Sequence, residues 1–533
     1  MKLLTIKKTK LQHHLLRLAA CLIAFIVSQA SMAGTDAYFN PLTQSSAVAI
    51  PNHIIELASP WQVPAGISQD NLTSMQEIEA DFTQTVLRVP NFGSSTLELI
   101  ASSWDMVSFD DAANFIFIPH QTFVGAGASR YDIKADRMEL LFSGDLGGFG
   151  QNWDNDWAAF GTSLFTPMQT VLLGEQWNGE GRIIEIVNPL APVIDIMIRE
   201  VDSLPNLAHE GLRFSPDGKT LYMVDDWNSG SVYKFVSKNQ HDLSVGQTFV
   251  LRVTAYAGDA ADMWNDPSNI NELRTGSATW VPLTDIDGNP LTVADPFKNG
   301  PTNDPRTNMD TRGGRPAADE VSATPYGRPE DLEVGRLSSG NEVVYFAATS
   351  ENAIYSIEVL SETVAFVRLM ASEATTPKNV GFPATTGTLN SPDNLAQDAL
   401  GNIYVIEDAP NTGGHDGGDV WFVRDVDGDG VAESLDHFLS LQVAVSEATG
   451  MIFNPVKPTE FVIVVQHPDS TRLSQVPDGF GDALWVFDLT DTVPPPCPSR
   501  NNGSGKSSIK GPTCSMTRDY AFINLLNDAG GSD

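Results

Sequence analysis

The chain has 533 residues, with 32 lysines and arginines against 67 aspartates and glutamates, and a formal net charge of −35. This length suits one large repetitive domain or two to three ordinary ones, and a hydrophobic content of 41% excludes a globally disordered chain. The excess of acid excludes a nucleic-acid duplex as a partner, because phosphate binding needs clustered lysine and arginine, but it suits divalent cations, which prefer carboxylate ligands.

Residues 1–33 have the pattern of a secretory signal peptide. A basic stretch that ends at Arg17 is followed by the apolar run 18–27, and the small residues of a cleavage site stand at 31–33. The run is too short to span a membrane, and no later stretch approaches the length of a span. We therefore expect a periplasmic or secreted protein. Its mature net charge is −40, since the signal removes five basic and no acidic residues.

After an N-terminal segment, residues 34–100, the region 101–490 consists of short β-branched and aromatic runs that recur in pairs. Turns rich in Gly, Asp and Asn separate the paired runs, which predicts β-hairpins. Six hairpins begin at positions 114, 169, 220, 343, 403 and 461, and the one long gap contains a Pro-, Asn- and Asp-rich insertion at 259–318. This period predicts an all-β protein, a six-bladed β-propeller with a long insertion; two β-sandwiches with coincidental spacing are the alternative.

Residues that could bind a cation or an anion lie at the starts of the strands that precede four hairpins. In a propeller the innermost strands run side by side along the central channel, so their starts meet at one mouth. Carboxylates crowded there repel one another, and a bound cation relieves that repulsion, whereas an arginine offers a planar grip on an anion. The alternative is that each is an ordinary turn residue. The candidates are Glu210, Arg328, Glu330, Asp393, Asn394 and Glu447.

An acidic loop follows the predicted strand 420–424. Counted from Asp425, it has aspartates at positions 1, 3 and 5, glycine at 6, glutamate at 9 and aspartate at 12, which matches the calcium loop of an EF-hand. No amphipathic helices flank the loop, and an acidic β-turn is the alternative. We expect a structural calcium here, with the ligand positions Asp425, Asp427, Asp429, Val431, Glu433 and Asp436.

The polar tail, residues 491–533, contains the two cysteines that remain once Cys21 leaves with the signal. In an exported protein this pair predicts a Cys497–Cys514 disulfide that closes a local loop. Two free thiols in a disordered tail are the alternative. In either case we expect no catalytic role for them.

Four short motifs come in a specific order along the chain. They are Ala208-His209-Glu210, Arg328-Pro329-Glu330-Asp331, Ser391-Pro392-Asp393-Asn394, and Ser446-Glu447 with Gln466-His467-Pro468. With them, the stretch from about 105 to 490 resembles the PhoX-type secreted alkaline phosphatases. The resemblance implies a six-bladed propeller with a calcium and iron cluster in its channel, and hydrolysis of phosphate esters outside the cytoplasm.

Two positions depart from the pattern of that family. Gln121 stands where the family has the glutamate of an Asn-His-Glu segment, and Gly174 stands where it has a cysteine that ligates iron. Glycine offers no side-chain ligand, and carboxylates alone favour calcium over transition metals. The resemblance, so modified, implies calcium as the cofactor and argues against iron.

The resemblance also implies roles for individual residues. Cations held by Glu175, Glu210, Glu330 and Asp393 would activate a water, while Arg328 clamps the phosphate. His209 would shuttle a proton or, as the preferred role, orient Glu210. We expect a monomer that hydrolyses a small phosphate monoester or diester. Two alternatives stay open: a calcium-bound propeller that serves as a binding or surface module, which Gln121 and Gly174 favour, and a calcium-dependent hydrolase of lactones or phosphotriesters.

Overall fold

The structure, a computed structural model, describes residues 38–47, 53–80, 103–148, 153–256, 272–297, 313–408, 418–468, 479–490 and 492. The predicted signal peptide and the predicted Cys497–Cys514 disulfide lie outside the described residues. Within these ranges, no helix is long and apolar enough to cross a membrane.

The described residues form mostly β-strands, as expected of segments rich in β-branched and aromatic side chains. The strands of the first half are β1 (Trp61–Gln62), β2 (Ser68–Ser74), β3 (Ser108–Phe109), β4 (Phe115–Pro119), β5 (Gly127–Asp132), β6 (Arg137–Ser143), β7 (Phe160–Phe165), β8 (Val171–Gly181), β9 (Ile183–Ile186), β10 (Ile198–Glu200), β11 (Leu207–Phe214), β12 (Thr220–Asp225), β13 (Val232–Ser237) and β14 (Gly246–Val253).

The second half continues the same pattern of strands. They are β15 (Gly276–Pro282), β16 (Pro329–Arg336), β17 (Glu342–Ala348), β18 (Ala353–Val359), β19 (Val364–Ser372), β20 (Pro392–Gln397), β21 (Ile403–Glu407), β22 (Asp419–Arg424), β23 (Ser434–Leu441), β24 (Glu447–Phe453), β25 (Glu460–Gln466) and β26 (Ala483–Asp488). The described α-helices are short: α1 (His53–Ala58), α2 (Met75–Ala80) and α3 (Gly314–Glu320). The expectation of an all-β protein is therefore confirmed.

The described strands form four hydrogen-bonded sheets, built from strands that are consecutive in the chain. The first contains β3 to β6. The second contains β7 to β19 as three groups, β7–β10, β11–β15 and β16–β19, connected where β8 pairs with β11 and β15 with β19. The third contains β20 to β23, and the fourth β24 to β26. The N-terminal strands complete the last two sheets, since β1 pairs with β23 and β2 with β26.

All six predicted hairpins are confirmed as antiparallel pairs: β4–β5, β8–β9, β12–β13, β17–β18, β21–β22 and β25–β26. The insertion at 259–318 contributes β15, which pairs with both β14 and β19. Its Pro-, Asn- and Asp-rich composition did not indicate a strand, because these residues are depleted in strands and the partners come from distant segments.

The first strands of the six groups are β3, β7, β11, β16, β20 and β24. They lie next to one another in that order, and β24 lies near β3. Apolar faces of neighbouring sheets pack together: the ring of Tyr404 in β21 of the third sheet lies 5.2 Å from that of Phe453 at the end of β24 in the fourth. Because the second strand of each group is antiparallel to the first, the start of the first strand and the end of the second lie at the same edge.

Candidate metal and phosphate site

Acidic side chains meet at the edge where the first strands begin and the second strands end. Glu210, Glu330 and Asp393 lie at the starts of β11, β16 and β20, whereas Asp226 and Asp408 directly follow β12 and β21. The pairing register shifts within β11, β16 and β20 at these positions. Such bulges change the direction of a side chain, and they often occur beside active sites.

The carboxylates at this edge are close together and buried. Glu210, Asp226 and Glu330 each offer an oxygen within 4.8 Å of the others. Glu330 also lies close enough to Asp393, and Asp408 close enough to Glu447, for their charges to interact. Asp105 lies close enough to Glu210 to act on its charge. We call this group the carboxylate cup: Asp105, Glu210, Asp226, Glu330, Asp393, Asp408 and Glu447.

Burial and mutual repulsion disfavour full ionisation of the carboxylate cup. Burial raises the pKa of Glu210, and the charges of Glu330 and Asp226 raise it further. Burial likewise raises the pKa values of Glu330 and Asp393. The positive charge of Arg328 opposes the shift of Glu330, and the charge of Glu210 adds to that of Asp393. The cup must therefore take up protons or bind cations.

Arg328 brings positive charge into the carboxylate cup. Its Nε donates to Asp226 Oδ1 over 3.0 Å, its Nη2 lies 2.7 Å from Glu330 Oε1, and its Nη1 lies 3.5 Å from Asp408 Oδ2. The residue has a φ of +56°, a conformation that costs free energy and tends to occur at functional sites. Its side chain remains 34% exposed, so the guanidinium is accessible to a ligand.

The carboxylate cup fits a hard cation. Asp393 Oδ1 is buried and accepts no hydrogen bond among the described residues, which is costly unless a cation binds it. The acidic residues offer oxygen ligands, the type that calcium prefers. An iron site with a thiolate does not fit: no cysteine lies among the described residues. A side chain at Gly174 would also be crowded, because a Cβ there would lie 2.8 Å from His209 Cβ and 3.0 Å from Thr162 Cγ2.

Glu175 lies outside the carboxylate cup. Its Oε2 is 2.7 Å from Arg182 Nε, and its Oε1 accepts the backbone N–H of Ala158 over 3.0 Å. Arg182 also pairs with Glu200 over 2.9 Å. Both carboxylate oxygens are thus engaged in a buried ion-pair network. The structure therefore pairs Glu175 with Arg182 and does not group it with the carboxylates of the cup.

His209 and Asn394 also have other partners than expected. The ring of His209 is fully buried, its Nε2 lies 2.9 Å from the carbonyl oxygen of Pro205, and burial lowers its pKa to about 3. This hydrogen bond goes to the backbone and not to Glu210. Asn394 Oδ1 accepts from Thr449 Oγ1 over 2.5 Å and from the N–H of Gly450 over 2.8 Å. Asn394 therefore links β20 to β24.

Glu447 stays at the rim of the carboxylate cup. Its Oε2 lies 3.2 Å from His467 Nε2. Burial disfavours a charged ring at His467, but the carboxylate of Glu447 outweighs this effect and raises the pKa of His467 to about 9. The protonated ring of His467 is therefore a second positive group at this edge of the protein.

The predicted calcium loop brings only part of its motif together. Asp425, Asp427 and Glu433 offer oxygens within 4.8 Å of one another. Asp429 accepts the N–H of Val431, and its own N–H donates to Asp425. Asp436 does not belong to this group of oxygens: β23 has already begun at Ser434, and the buried Asp436 carboxylate pairs with Arg424 Nε over 2.9 Å. It therefore lies outside the loop.

Sequence reasoning missed Asp105, Asp226, Asp408 and the amide of Gln176. Gln176 Nε2 donates to Glu210 Oε2 and to Asp226 Oδ2, both over 2.8 Å. Asp226 and Asp408 follow strands that were correctly predicted. Their position at the ends of second strands, on the edge where first strands begin, was a signal that could have identified them.

A family model described as "Alkaline phosphatase PhoX" matches residues 152–469, more than half of the chain. The structure of Pseudomonas fluorescens PhoX in complex with vanadate, a transition state analogue, is similar with a TM-score of 0.54 and 16% identity, and the match covers 86% of this chain and 99% of that chain. At that identity the likeness shows the fold alone. No curated protein matches the chain.

Two other solved structures are more distant. The virginiamycin B lyase of Staphylococcus aureus with quinupristin has a TM-score of 0.36 and 8% identity, covering 79% of this chain and 99% of that one. The calcium-binding protein regucalcin of Agrobacterium tumefaciens also has a TM-score of 0.36, with 10% identity over 72% of this chain and 89% of its own. From the family match, the chain belongs to the PhoX alkaline phosphatase family.

Proposed function

We propose that this protein is an exported, calcium-dependent phosphatase that hydrolyses small phosphate esters at the carboxylate cup. The observation that carries the proposal is the position of Arg328, whose partly exposed guanidinium is held by Asp226 and Glu330. An anion-binding group and a set of cation ligands therefore lie side by side, which is the arrangement that phosphoryl chemistry requires. Membership of the PhoX family supports the same conclusion.

Calcium would be held by Glu210, Asp226, Glu330 and Asp393, with Glu447 and Asp408 at the rim. When bound, it supplies Lewis-acid stabilisation of phosphate oxygens and lowers the pKa of a water. We leave Glu175 and Asn394 out of the proposed set because their side-chain oxygens have other partners, and His209 because its Nε2 lies against the backbone carbonyl of Pro205.

Arg328 would bind the phosphate group directly. Its Nη1 has only a 3.5 Å contact with Asp408, so this edge of the guanidinium is the one best placed to turn toward a ligand. Two parallel N–H donors match two phosphate oxygens, and the hydrogen bonds between them strengthen as negative charge grows on the phosphate during cleavage. Asp226 and Glu330 hold the other edge and fix the plane of the guanidinium.

The proposed architecture is a six-bladed β-propeller. It is supported by the six groups of consecutive strands, by the order in which their first strands lie side by side, and by the proximity of β24 to β3. The sequence pattern of residues 1–33 supports export to the periplasm or the medium. We further propose that the protein acts as a monomer on small substrates.

The test is hydrolysis of nitrophenyl phosphate and bis(nitrophenyl) phosphate by the purified chain from residue 34 onward. We expect cleavage of at least one ester with calcium, and little or none after chelation. Failure to cleave either ester with calcium or with iron would overturn the proposal. Calcium binding without cleavage would instead favour a binding or surface module, the alternative that Gln121 and Gly174 support.

A further inference from the structure

Three buried or half-buried glutamines form a continuous chain of hydrogen bonds that ends at the carboxylate cup. Gln466 Nε2 donates to Gln121 Oε1 over 3.0 Å, and Gln121 Nε2 donates to Gln176 Oε1 over 2.5 Å. Gln176 Nε2 then donates to Glu210 and Asp226, over 2.8 Å each. The chain runs from the end of β25, past the end of β4, to β8, so it connects the last sheet with the first two.

The direction of this chain is set by its acidic end. Asp226 forms an ion pair with Arg328, and an ionised carboxylate only accepts hydrogen bonds, so Gln176 must turn its NH2 group toward Asp226 and the neighbouring Glu210. Its carbonyl oxygen must then accept from Gln121, whose own carbonyl oxygen must accept from Gln466. Every amide orientation follows from the first one, because each glutamine has one donor group and one acceptor.

At the far end of the glutamine chain, this direction leaves one buried oxygen of Gln466 without a hydrogen bond in the described part of the protein. Gln466 is fully buried, and its Oε1 accepts no hydrogen bond among the described residues. Reversing all three amides would not improve the hydrogen bonding, because it would place the Gln176 carbonyl oxygen against two carboxylates. The two N–H donors at the carboxylate cup thus offset the free-energy cost of the unsatisfied buried oxygen at Gln466.

We propose that this glutamine chain tunes the calcium affinity of the carboxylate cup from a distance. The inference rests on the proposed function, since it takes Glu210 and Asp226 as calcium ligands. The Gln176 N–H donors stabilise both carboxylates in the cation-free protein and compete with the cation for their oxygens. They therefore lower the affinity for calcium. Gln121 and Gln466 are positioning residues that keep Gln176 in the donating orientation.

Gln466→Glu tests the proposal with a nearly isosteric change two amides away from the cup. At a pH that ionises it, the carboxylate that this substitution introduces can only accept, so Gln121 must donate to it and Gln176 must donate to Gln121. At lower pH the protonated carboxyl donates to Gln121 as Gln466 does and leaves the direction of the chain unchanged. The carbonyl oxygen of Gln176 must then face Glu210 and Asp226, and the two carboxylates lack donors until calcium binds. Gln466→Met is the matched control, because it ends the chain without forcing the reversal.

The measurement is the calcium dissociation constant of the chelator-treated chain from residue 34 onward, by titration calorimetry at an alkaline pH at which the introduced carboxyl is ionised. All variants carry Asp427→Asn, to weaken calcium binding in the 425–433 loop. We expect Gln466→Glu to bind calcium about tenfold more tightly than Gln466→Met, as expected when hydrogen bonds to charged groups are lost in the cation-free state. In a Gln176→Met background the difference between the two variants should vanish.

Equal dissociation constants for the two Gln466 variants would overturn the glutamine chain as a tuning device while leaving calcium binding intact. A difference that persists in the Gln176→Met background would also overturn it, since the charge would then act without the amides. Absence of calcium binding by the unchanged chain would contradict the proposed function itself and this inference with it. If Gln466→Glu fails to fold, Gln121→Met removes the donor that holds the Gln176 carbonyl oxygen and should also tighten calcium binding, an effect that should vanish in the Gln176→Met background. Unchanged binding in Gln121→Met would overturn the proposal.

Discussion

Arg328 and Glu330 form an ion pair at the start of β16, with Nη2 of the arginine 2.7 Å from Oε1 of the glutamate. The arginine lies just before the strand in a conformation of positive φ, and the glutamate lies within it. One short segment thus supplies a group for an anion and a group for a cation. In the proposed mechanism, this pair places the phosphate beside the cation.

Replacing Arg328 by alanine should remove most phosphatase activity. The variant loses the two donors that would stabilise charge on the phosphate, so we expect a loss of about 100-fold or more in kcat/KM. Arg328→Lys should recover only part of it, because an ammonium group lacks the planar pair of donors. Thermal unfolding measured in calcium should show that both variants fold. Nearly full activity of the folded alanine variant would remove Arg328 from the mechanism.

The stability of the calcium-free protein should fall as the pH rises. Burial raises the pKa values of Glu210, Glu330 and Asp393, so the folded protein retains protons that the unfolded chain loses near pH 4. The resulting stabilisation is complete below about pH 4 and is lost as the pH rises through the raised values in the folded state. Calcium should largely remove this decline, because bound carboxylates stay ionised.

Unfolding midpoints recorded from about pH 5 to about pH 9, with chelator and with calcium, test this prediction. The two profiles should approach each other at low pH and separate as the pH rises. Parallel profiles would show that these carboxylates are not what calcium stabilises.

Two aspartates near the 425–433 loop should respond differently to calcium. Asp427→Asn should reduce the calcium-induced rise in the unfolding midpoint, since the exposed Asp427 and Glu433 lie with the buried Asp425 in one oxygen cluster. Asp436→Asn should destabilise the protein by about 3 kcal/mol with or without calcium, because it leaves the buried Arg424 without its ionic partner. Identical calcium responses of Asp427→Asn and the unchanged chain would exclude a calcium site in the loop.

Replacing Glu175 by glutamine separates a structural residue from a metal ligand. Glu175 is buried against Arg182, so breaking the ion pair should cost about 3 kcal/mol of unfolding free energy. Its effect should be the same in calcium and in chelator, and the number of calcium ions bound, measured by elemental analysis, should not change. Loss of a bound calcium in this variant would restore Glu175 to the set of ligands.

The hairpins and the acidic strand starts were predictable from local pattern. Alternating apolar runs around Gly- and Asp-rich turns specify pairing between neighbouring segments, and all six hairpins formed. Pairing between distant segments has no such local signal. The joining of β2 to β26, and the strand β15 within a proline-rich insertion, depend on which edges the rest of the fold leaves open.

The candidate site was predictable only in part for the same reason. Glu210, Glu330 and Asp393 were identified because they begin the first strands. Glu175 and Asp436 were assigned as ligands because an isolated carboxylate in a motif does not reveal its partner. Each of these carboxylates pairs with an arginine that becomes its neighbour only when the chain folds. Arg182 reaches Glu175 when the chain turns back on itself at the end of β8, and Arg424 reaches Asp436 when β22 pairs with β23.

The most direct test of the account is a calcium titration of the chelator-treated chain from residue 34 onward, with hydrolysis of nitrophenyl phosphate and thermal stability followed in the same samples. We expect activity to be absent without calcium and to rise together with stability as the carboxylate cup fills. Activity that is undiminished after complete removal of calcium, or that never appears when calcium binding is saturated, would contradict a calcium-dependent phosphatase centred on Arg328 and Glu330.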